Sequence, residues 1–187
     1  MDDKLSDRKQ AARFLLDGIG EQRTRGGLVE TPDRFAKAWD FWTKGYNENP
    51  KDILKVFEDG AETYDQMVLV RDIPVYSHCE HHLAAIFGVA HVGYIPKGKI
   101  CGLSKLNRVV DCFARRLQVQ ERLTDQIAGA IFDVLSPHGV AVQLNCRHMC
   151  MESRGVCQQG HSTITTALRG IYSTDGSAKQ EFLNSVK

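Results

Sequence analysis

The order of strand-like and helix-like segments is the feature that most constrains the fold of this chain. Residues 68–75 are rich in β-branched side chains, and residues 85–95 end at a turn over residues 96–99. Two further strand candidates, residues 140–151 and 162–171, are separated by a glycine-containing loop. Between the two pairs lie apolar stripes at helical spacing, formed by Leu103, Leu106, Val110, Phe113 and Leu117 and then by Leu123, Ile127, Ile131 and Val134. This β-β-α-α-β-β order predicts an α+β fold, in which two helices cover one face of an antiparallel sheet.

The region before the strands is predicted to be helical. Residues 9–19 carry apolar side chains at helical spacing, and a pair of glycines then interrupts the pattern. A second helix is expected to begin with Thr31 as its N-cap and Pro32 at the first helical position. We therefore expect an N-terminal helical region over residues 1–60 and a second domain over residues 61–187.

Composition and charge are those of an ordinary globular protein. The chain has 187 residues, of which 42% are hydrophobic and 25% are charged, and its net charge of +1 argues against a nucleic-acid-binding protein. No apolar run approaches the roughly 20 residues that span a bilayer, and the N-terminus is too polar for a secretory signal, so a cytoplasmic location without membrane contact is expected.

The polar tail after Tyr172 is expected to be mobile. The cysteines are expected to be thiols or metal ligands rather than disulfides; they are Cys79, Cys101, Cys112, Cys146, Cys150 and Cys157.

The densest chemical signal is the tetrapeptide Cys79-Glu80-His81-His82. Thiolates and imidazoles are the ligands that zinc prefers in proteins. Cys79 and His82 are three residues apart, so a turn can bring both to one metal ion, while His81 points elsewhere. Alone, the segment lacks a second ligand pair, and Cys79 could equally be a buried thiol.

A second segment, His148-Met149-Cys150, supplies the missing donors. If residues 140–151 form one strand, the apolar row that includes Cys146 continues into His148 and Cys150 at the rim of the sheet. Cys150 could also be one more core residue. A catalytic zinc held by two cysteines and one histidine would leave two histidines for proton transfer, whereas a structural zinc would take a fourth protein ligand.

Polar residues at two helix starts could bind an anionic or polar ligand. Lys105 and Arg108 share a helix face near an N-terminus, and Arg154 lies four residues past Cys150. Either set could instead belong to a solvated surface. Glu121, next to Gln120 at the start of the second helix, could complement the helix dipole or accept two N–H bonds from a guanine edge.

The chain resembles the GTP cyclohydrolase I family from about Gly27 to its end. The segments that carry the resemblance are Thr31-Pro32-Asp33-Arg34, Cys79-Glu80-His81-His82, Gly93-Tyr94-Ile95-Pro96, Gly102-Leu103-Ser104-Lys105-Leu106 with Arg108, residues 113–124 (FARRLQVQERLT), and His148-Met149-Cys150-Met151 with Arg154-Gly155. The FARRLQVQERLT run and the paired CEHH and HMCM segments are highly specific together. Two departures are His78, where an apolar residue is usual, and Ser153, where methionine or a similar residue is usual.

The resemblance implies a fold, an assembly and a set of site residues. It implies the tunnelling fold and a toroidal homodecamer of two stacked pentamers, whose active sites draw on more than one subunit. By residue, it implies zinc ligands Cys79, His82 and Cys150, proton-transfer residues His81 and His148, Ser104 near the ribose, guanine-binding residues Glu121 and Gln120, and polyphosphate-binding residues Arg34, Lys105, Arg108 and Arg154.

The resemblance also implies a reaction. Zinc-activated water would attack C8 of GTP, a histidine would protonate N7, and formate would be released. The ribose would then rearrange to give 7,8-dihydroneopterin triphosphate, which feeds tetrahydrofolate or 7-deazaguanine synthesis. Two other interpretations are a zinc-stabilised scaffold without activity, and a related fold that handles pterins or deazaguanines.

Overall fold

The computed structural model describes residues 3–58 and 63–187 and divides the chain into two compact units, Met1–Lys44 and Gly45–Lys187. The predicted domain boundary, between residues 60 and 61, lies outside the described residues, so that boundary stays a prediction. Among the described residues, no helix combines the length and the apolar character that crossing a membrane requires.

The first unit contains two helices, α1 (Asp3–Gly18) and α2 (Thr31–Trp42). The prediction that Thr31 is the N-cap of α2 is wrong by one residue. Glu30 occupies the N-cap position, and its side chain makes no capping bond. The chain turns early because the Thr31 amide already donates to the Leu28 carbonyl at 3.0 Å. Pro32 still lies in the first helical turn, where its missing N–H costs nothing.

The second unit follows a 3-10 turn at Lys44–Asn47. Its elements are α3 (Pro50–Ile53), β1 (Val56–Phe57), β2 (Val68–Cys79), β3 (Ala85–Ile95), β4 (Ile100–Cys101), α4 (Leu103–Ala114), β5 (Leu117–Gln118), α5 (Gln120–Leu135), β6 (Gly139–His148), α6 (Met149–Glu152), β7 (Thr163–Gly170), α7 (Ile171–Thr174) and α8 (Gly176–Ser185). The long elements β2, β3, α4, α5, β6 and β7 confirm the predicted β-β-α-α-β-β order and the α+β class.

The main sheet has five strands in the order β5-β2-β3-β6-β7. Neighbours among β2, β3, β6 and β7 are antiparallel, as predicted, and the short strand β5 adds a parallel edge beside β2. Most of the two predicted stripes lies in the core with the sheet, where Leu106, Val110, Leu123 and Ile127 are fully buried. Two members of the first stripe depart from the prediction, since Leu103 is 57% exposed and Leu117 lies in β5, beyond the end of α4. Burial of these stripes is the main stabilisation of the unit.

Strand β6 ends earlier than predicted. Its buried row runs through Leu144 and Cys146, but the strand stops at His148, and residues Met149–Glu152 form a helical turn. The turn is closed by Ser153, whose backbone N–H and hydroxyl both bond to the Met149 carbonyl, at 3.0 and 2.6 Å. The prediction that Cys150 continues the strand row is therefore wrong.

The tail after Tyr172 is also ordered, contrary to the prediction that it is mobile. Asp175 caps α8 by accepting bonds from two backbone N–H groups, at 2.7 and 3.2 Å. Phe182 is fully buried against Tyr172, with ring centroids 6.0 Å apart, and clusters with Ala141. Because neighbours of Ala141 on β6 belong to the main core, α8 covers the opposite face of the sheet.

Candidate metal and substrate site

One group of metal-ligating side chains was found among the described residues. Cys79, His82 and Cys150 each offer a donor atom, and these atoms all lie within 4.8 Å of one another. Cys79 is the last residue of β2, His82 lies in the following turn, and Cys150 lies in α6. The structure therefore brings the three predicted ligands together, and two sulfurs with one imidazole nitrogen are a donor set that suits zinc.

The turn after β2 sets the position of His82. The Cys79 N–H donates to the Ala84 carbonyl and the Leu83 N–H donates to the Cys79 carbonyl, both at 2.8 Å. Leu83 adopts φ +54°, a left-handed conformation that is uncommon for a residue other than glycine. This tight turn places His82 Nδ1 3.9 Å from the Cys79 sulfur.

An arginine on α5 holds the same turn from outside. Arg122 pairs with the Glu80 carboxylate, and its Nε donates to Gln118 Oε1 at 3.0 Å. The Glu80 N–H also donates to the Gln118 carbonyl, at 3.1 Å. The hydrogen bond from Arg122 lowers the pKa of Glu80, so the carboxylate stays ionised and the turn stays tied to the start of α5.

A second ion pair holds the turn that carries Cys150. Glu152 is buried, and Arg147 Nε donates to its Oε1 at 2.9 Å. The hydrogen bond from Arg147 lowers the pKa of Glu152. Burial, and then the neighbouring Cys79, raise the pKa of the Cys150 thiol.

Arg154 lies against the imidazole of His82, with its Nη1 3.0 Å from His82 Nε2. This hydrogen bond requires an unprotonated Nε2 on His82, since the guanidinium of Arg154 can donate hydrogen bonds but cannot accept them. A metal on Nδ1 would leave the proton on Nε2, and a metal on Nε2 would occupy the same lone pair. Metal binding through either nitrogen of His82 would therefore break its bond with Arg154.

The two other histidines of the motifs border the donor group. His81 is exposed, and its Nδ1 lies 3.8 Å from the Cys79 sulfur. His148 Nε2 lies 2.7 Å from Gln120 Oε1. Burial lowers the pKa of His148, while the charge of Glu121 acts in the opposite direction. Neither histidine belongs to the group of three.

The predicted substrate-binding residues fall into separate parts of the structure. Ser104, Lys105 and Arg108 lie in the first turns of α4, and Glu121 is exposed in the first turn of α5. Arg34 lies on α2 of the first unit, where it pairs with Glu30. Gln120 differs from the others because it is 2% exposed and bonds to protein groups, so a contact with guanine stays a prediction.

Comparison with known proteins decides the family. The GTP cyclohydrolase I family model matches residues 8–187. The chain belongs to the GTP cyclohydrolase I family. A protein named GTP cyclohydrolase 1 from Janthinobacterium sp. (strain Marseille) is 58% identical over 171 residues, which cover 91% of this chain and 86% of that protein. Proteins of the same name from Nitrosospira multiformis and Chlorobaculum tepidum are 56% and 53% identical, over 90% and 97% of this chain and 88% and 81% of their own lengths.

For this member of the GTP cyclohydrolase I family, the sequence motifs did not indicate the residues that support the site. The roles of Arg122 and Glu152 were missed. Gln118, which Arg122 contacts, lies in β5 before α5 begins, so helical spacing did not indicate that contact. His161 was missed as well. Both of its ring nitrogens are buried without a hydrogen-bond partner among the described residues, and its charge acts on His148. The six cysteines are free thiols, which confirms that prediction.

Proposed function

We propose that this chain is a zinc-dependent enzyme that opens the imidazole ring of GTP at C8, releases formate and forms 7,8-dihydroneopterin triphosphate. The observation that carries the proposal is the convergence of Cys79, His82 and Cys150, from two distant segments, beside two histidines that are not part of the group. The family match and the names of the relatives support GTP as the substrate.

The donor set supports zinc as the metal. Two thiolates and one imidazole are typical of catalytic zinc sites that keep one coordination position open. When bound, zinc would supply a Lewis acid that activates water for attack on the purine C8. The residues that surround it would then move protons and hold the substrate.

His81 and His148 are the candidates for proton transfer. One of them would protonate N7 as the ring opens, because an amine leaves more readily than its anion. The other, together with Ser104, would serve the proton transfers in which the ribose opens and the dihydropterin ring closes. Burial lowers the pKa of His148, which favours the neutral imidazole, a form that can accept a proton as well as pass one on.

Glu121 is the candidate for reading the guanine. A carboxylate can accept the adjacent N1–H and N2–H donors of guanine with its two oxygens, whereas adenine offers an acceptor at N1. The polyphosphate would be bound by cations, namely Arg34, Lys105, Arg108 and Arg154. Release of Arg154 from His82 on metal binding would free one of these cations for the substrate.

The alternative of a structural, four-ligand zinc site finds less support. His148 would be the fourth ligand, but it does not belong to the group of donor atoms found among the described residues, which has three members. Assembly into a decamer with shared active sites is part of our proposal. It is supported by strand β7, an edge strand with Ile164 58% exposed, since free edges can pair between chains. A cytoplasmic location is supported by the free thiols.

One assay tests the proposal. The zinc-loaded protein is incubated with GTP, and pterin fluorescence and formate are measured together, with ATP as the control nucleotide. We expect both products from GTP only, loss of both after chelation, and recovery on adding zinc. Hydrolysis of GTP to GDP without formate, or no consumption of GTP, would contradict the proposal.

A further inference from the structure

Gln120, at the start of α5, joins His148 to the protein interior. Its Oε1 lies 2.7 Å from His148 Nε2. Its amide nitrogen lies 2.9 Å from the Thr163 carbonyl and 3.0 Å from Thr165 Oγ1. With the residue only 2% exposed, both ends of the amide are engaged by protein groups.

The partners of the amide nitrogen fix which end of Gln120 faces His148. The Thr163 carbonyl can only accept a hydrogen bond, and so can the Leu144 carbonyl, which lies 3.4 Å from the same nitrogen. Turning the amide over would bring Oε1 against both carbonyl oxygens. The nitrogen must therefore face Thr163, and Oε1 must face His148.

A closed ring of hydrogen bonds leads independently to the same orientation. Thr124 Oγ1 lies 2.7 Å from the Gln120 carbonyl, an acceptor, so Thr124 donates its one proton there. Thr165 Oγ1 lies 2.6 Å from Thr124 Oγ1 and must then donate its own proton to Thr124. With that proton used, Thr165 can only accept from Gln120, so the amide nitrogen must lie on its side.

The orientation of Gln120 determines the proton on His148. Since Oε1 carries no hydrogen, the ring nitrogen that faces it must carry one, and a neutral His148 has its lone pair on Nδ1. We infer that Gln120 is a positioning residue that fixes the tautomer and ring orientation of His148, so that His148 exchanges protons with the substrate through Nδ1. The inference rests on the proposed function and gives Gln120 a role through His148 in place of direct contact with guanine.

Two substitutions separate this role from a purely structural one. Gln120→Glu keeps an oxygen toward His148 but brings a second oxygen against the Thr163 carbonyl. Gln120→Met keeps the length of the side chain and removes the acceptor. A purely structural role predicts that the glutamate variant is the more damaged in every measurement, because it leaves two acceptors facing each other.

The positioning role predicts a different order. Gln120→Met should lower kcat by roughly 10- to 100-fold, the scale of a misplaced acid–base group, with the KM for GTP changed less than about threefold. Gln120→Glu should melt at a lower temperature than Gln120→Met yet retain a higher kcat. Gln143→Met is the matched control, and its kcat should equal that of the wild type. Among the described residues, the one hydrogen bond of the Gln143 side chain runs to the Thr166 hydroxyl on β7, at 3.4 Å.

Nitrogen NMR of zinc-loaded, 15N-histidine-labelled protein at pH 8.5 reads the tautomer directly. The His148 signals are assigned by difference from His148→Asn. We expect a protonated Nε2 and a bare Nδ1 in the wild type, and a mixture in Gln120→Met. A wild-type His148 protonated on Nδ1 would overturn the inference. So would a Gln120→Met variant whose kcat is unchanged while its KM rises and its preference for GTP over ATP falls. Because the NMR result needs no turnover, a wild type that does not consume GTP would refute the proposed function alone.

Discussion

Two cysteines four residues apart provide a direct test of the metal site. Cys150 belongs to the donor group with Cys79 and His82, whereas Cys146 is 1% exposed in the core. Burial raises the pKa of Cys146 to about 12, and its sulfur is not part of the donor group found among the described residues. We therefore expect Cys150→Ser to lose zinc and Cys146→Ser to keep it.

The size of each effect follows from the two environments. Structural zinc in zinc-finger peptides is bound with about 10–16 kcal/mol at pH 7, so on that scale one of three ligands accounts for ~3–5 kcal/mol if they share it evenly. Cys150→Ser should then raise the zinc Kd at least roughly 100-fold. Cys146→Ser places a hydroxyl in the core at a cost of about 1–3 kcal/mol, which lowers the melting temperature by about 2–12 °C.

Both variants and the wild type are titrated with zinc against a chelating indicator and melted with and without chelator. Wild type and Cys146→Ser should bind about one zinc per chain and melt at a lower temperature when chelator is added. Cys150→Ser should show weak binding and little response to chelator. The assignment is wrong if Cys150→Ser binds zinc with wild-type affinity, or if a folded Cys146→Ser has lost its zinc.

Three further predictions concern the substrate and the fold. Glu121→Gln should lose most GTP turnover while it keeps its zinc and its melting temperature, because the guanine site would have lost its second acceptor oxygen. With Glu121 in place we expect that site to reject ATP by ~10⁴-fold. Unchanged GTP turnover in the variant would place guanine recognition elsewhere. Lys105→Ala should raise the KM for GTP but leave guanosine binding, measured by calorimetry, unchanged; equal weakening of both ligands would remove Lys105 from the polyphosphate site. Phe182→Ala should destabilise the protein by about 3–5 kcal/mol in chemical denaturation, since its ring is fully buried, and a loss under about 1 kcal/mol would show that α8 does not stabilise the sheet.

The main elements of the fold were predictable because their periodicity is strong. In the stripe that begins at Leu123, Ile127 and Ile131 are also fully buried, and Val134 packs half-buried against the core. The strand over residues 85–95 has the predicted bounds. The tail was not predictable by the same means. One fully buried aromatic, Phe182, anchors a helix that is mostly polar, with Ala178 and Leu183 packed beside it. The cap from Asp175 is a local bond that composition does not reveal.

The candidate site shows a similar division. The three donor residues were predicted as a set, but Cys150 reaches the group from a helical turn and not from the strand on which the prediction depended. The alternation of apolar residues did not reveal this turn, because it is held by side-chain bonds, from the Ser153 hydroxyl to the Met149 carbonyl and between Arg147 and Glu152. The buried hydrogen bonds of Gln120 were not predictable from the sequence either, since a glutamine at the start of a helix can equally well be exposed to solvent.

The register of β3 explains how distant segments meet at this site. Ala85 pairs with His78, next to Cys79, and the following residue, Ile86, pairs with His148. A slip of one residue in either ladder would move a ligand segment by about 3.3 Å, more than a metal–ligand bond can absorb. The pairing of β3 with β6 requires glycine at position 88, because a Cβ on Gly88 would lie 2.1 Å from the Asn145 carbonyl oxygen. The close approach of β3 to β6 thus depends on a residue without a side chain, and the chemistry at the end of the sheet depends on that approach.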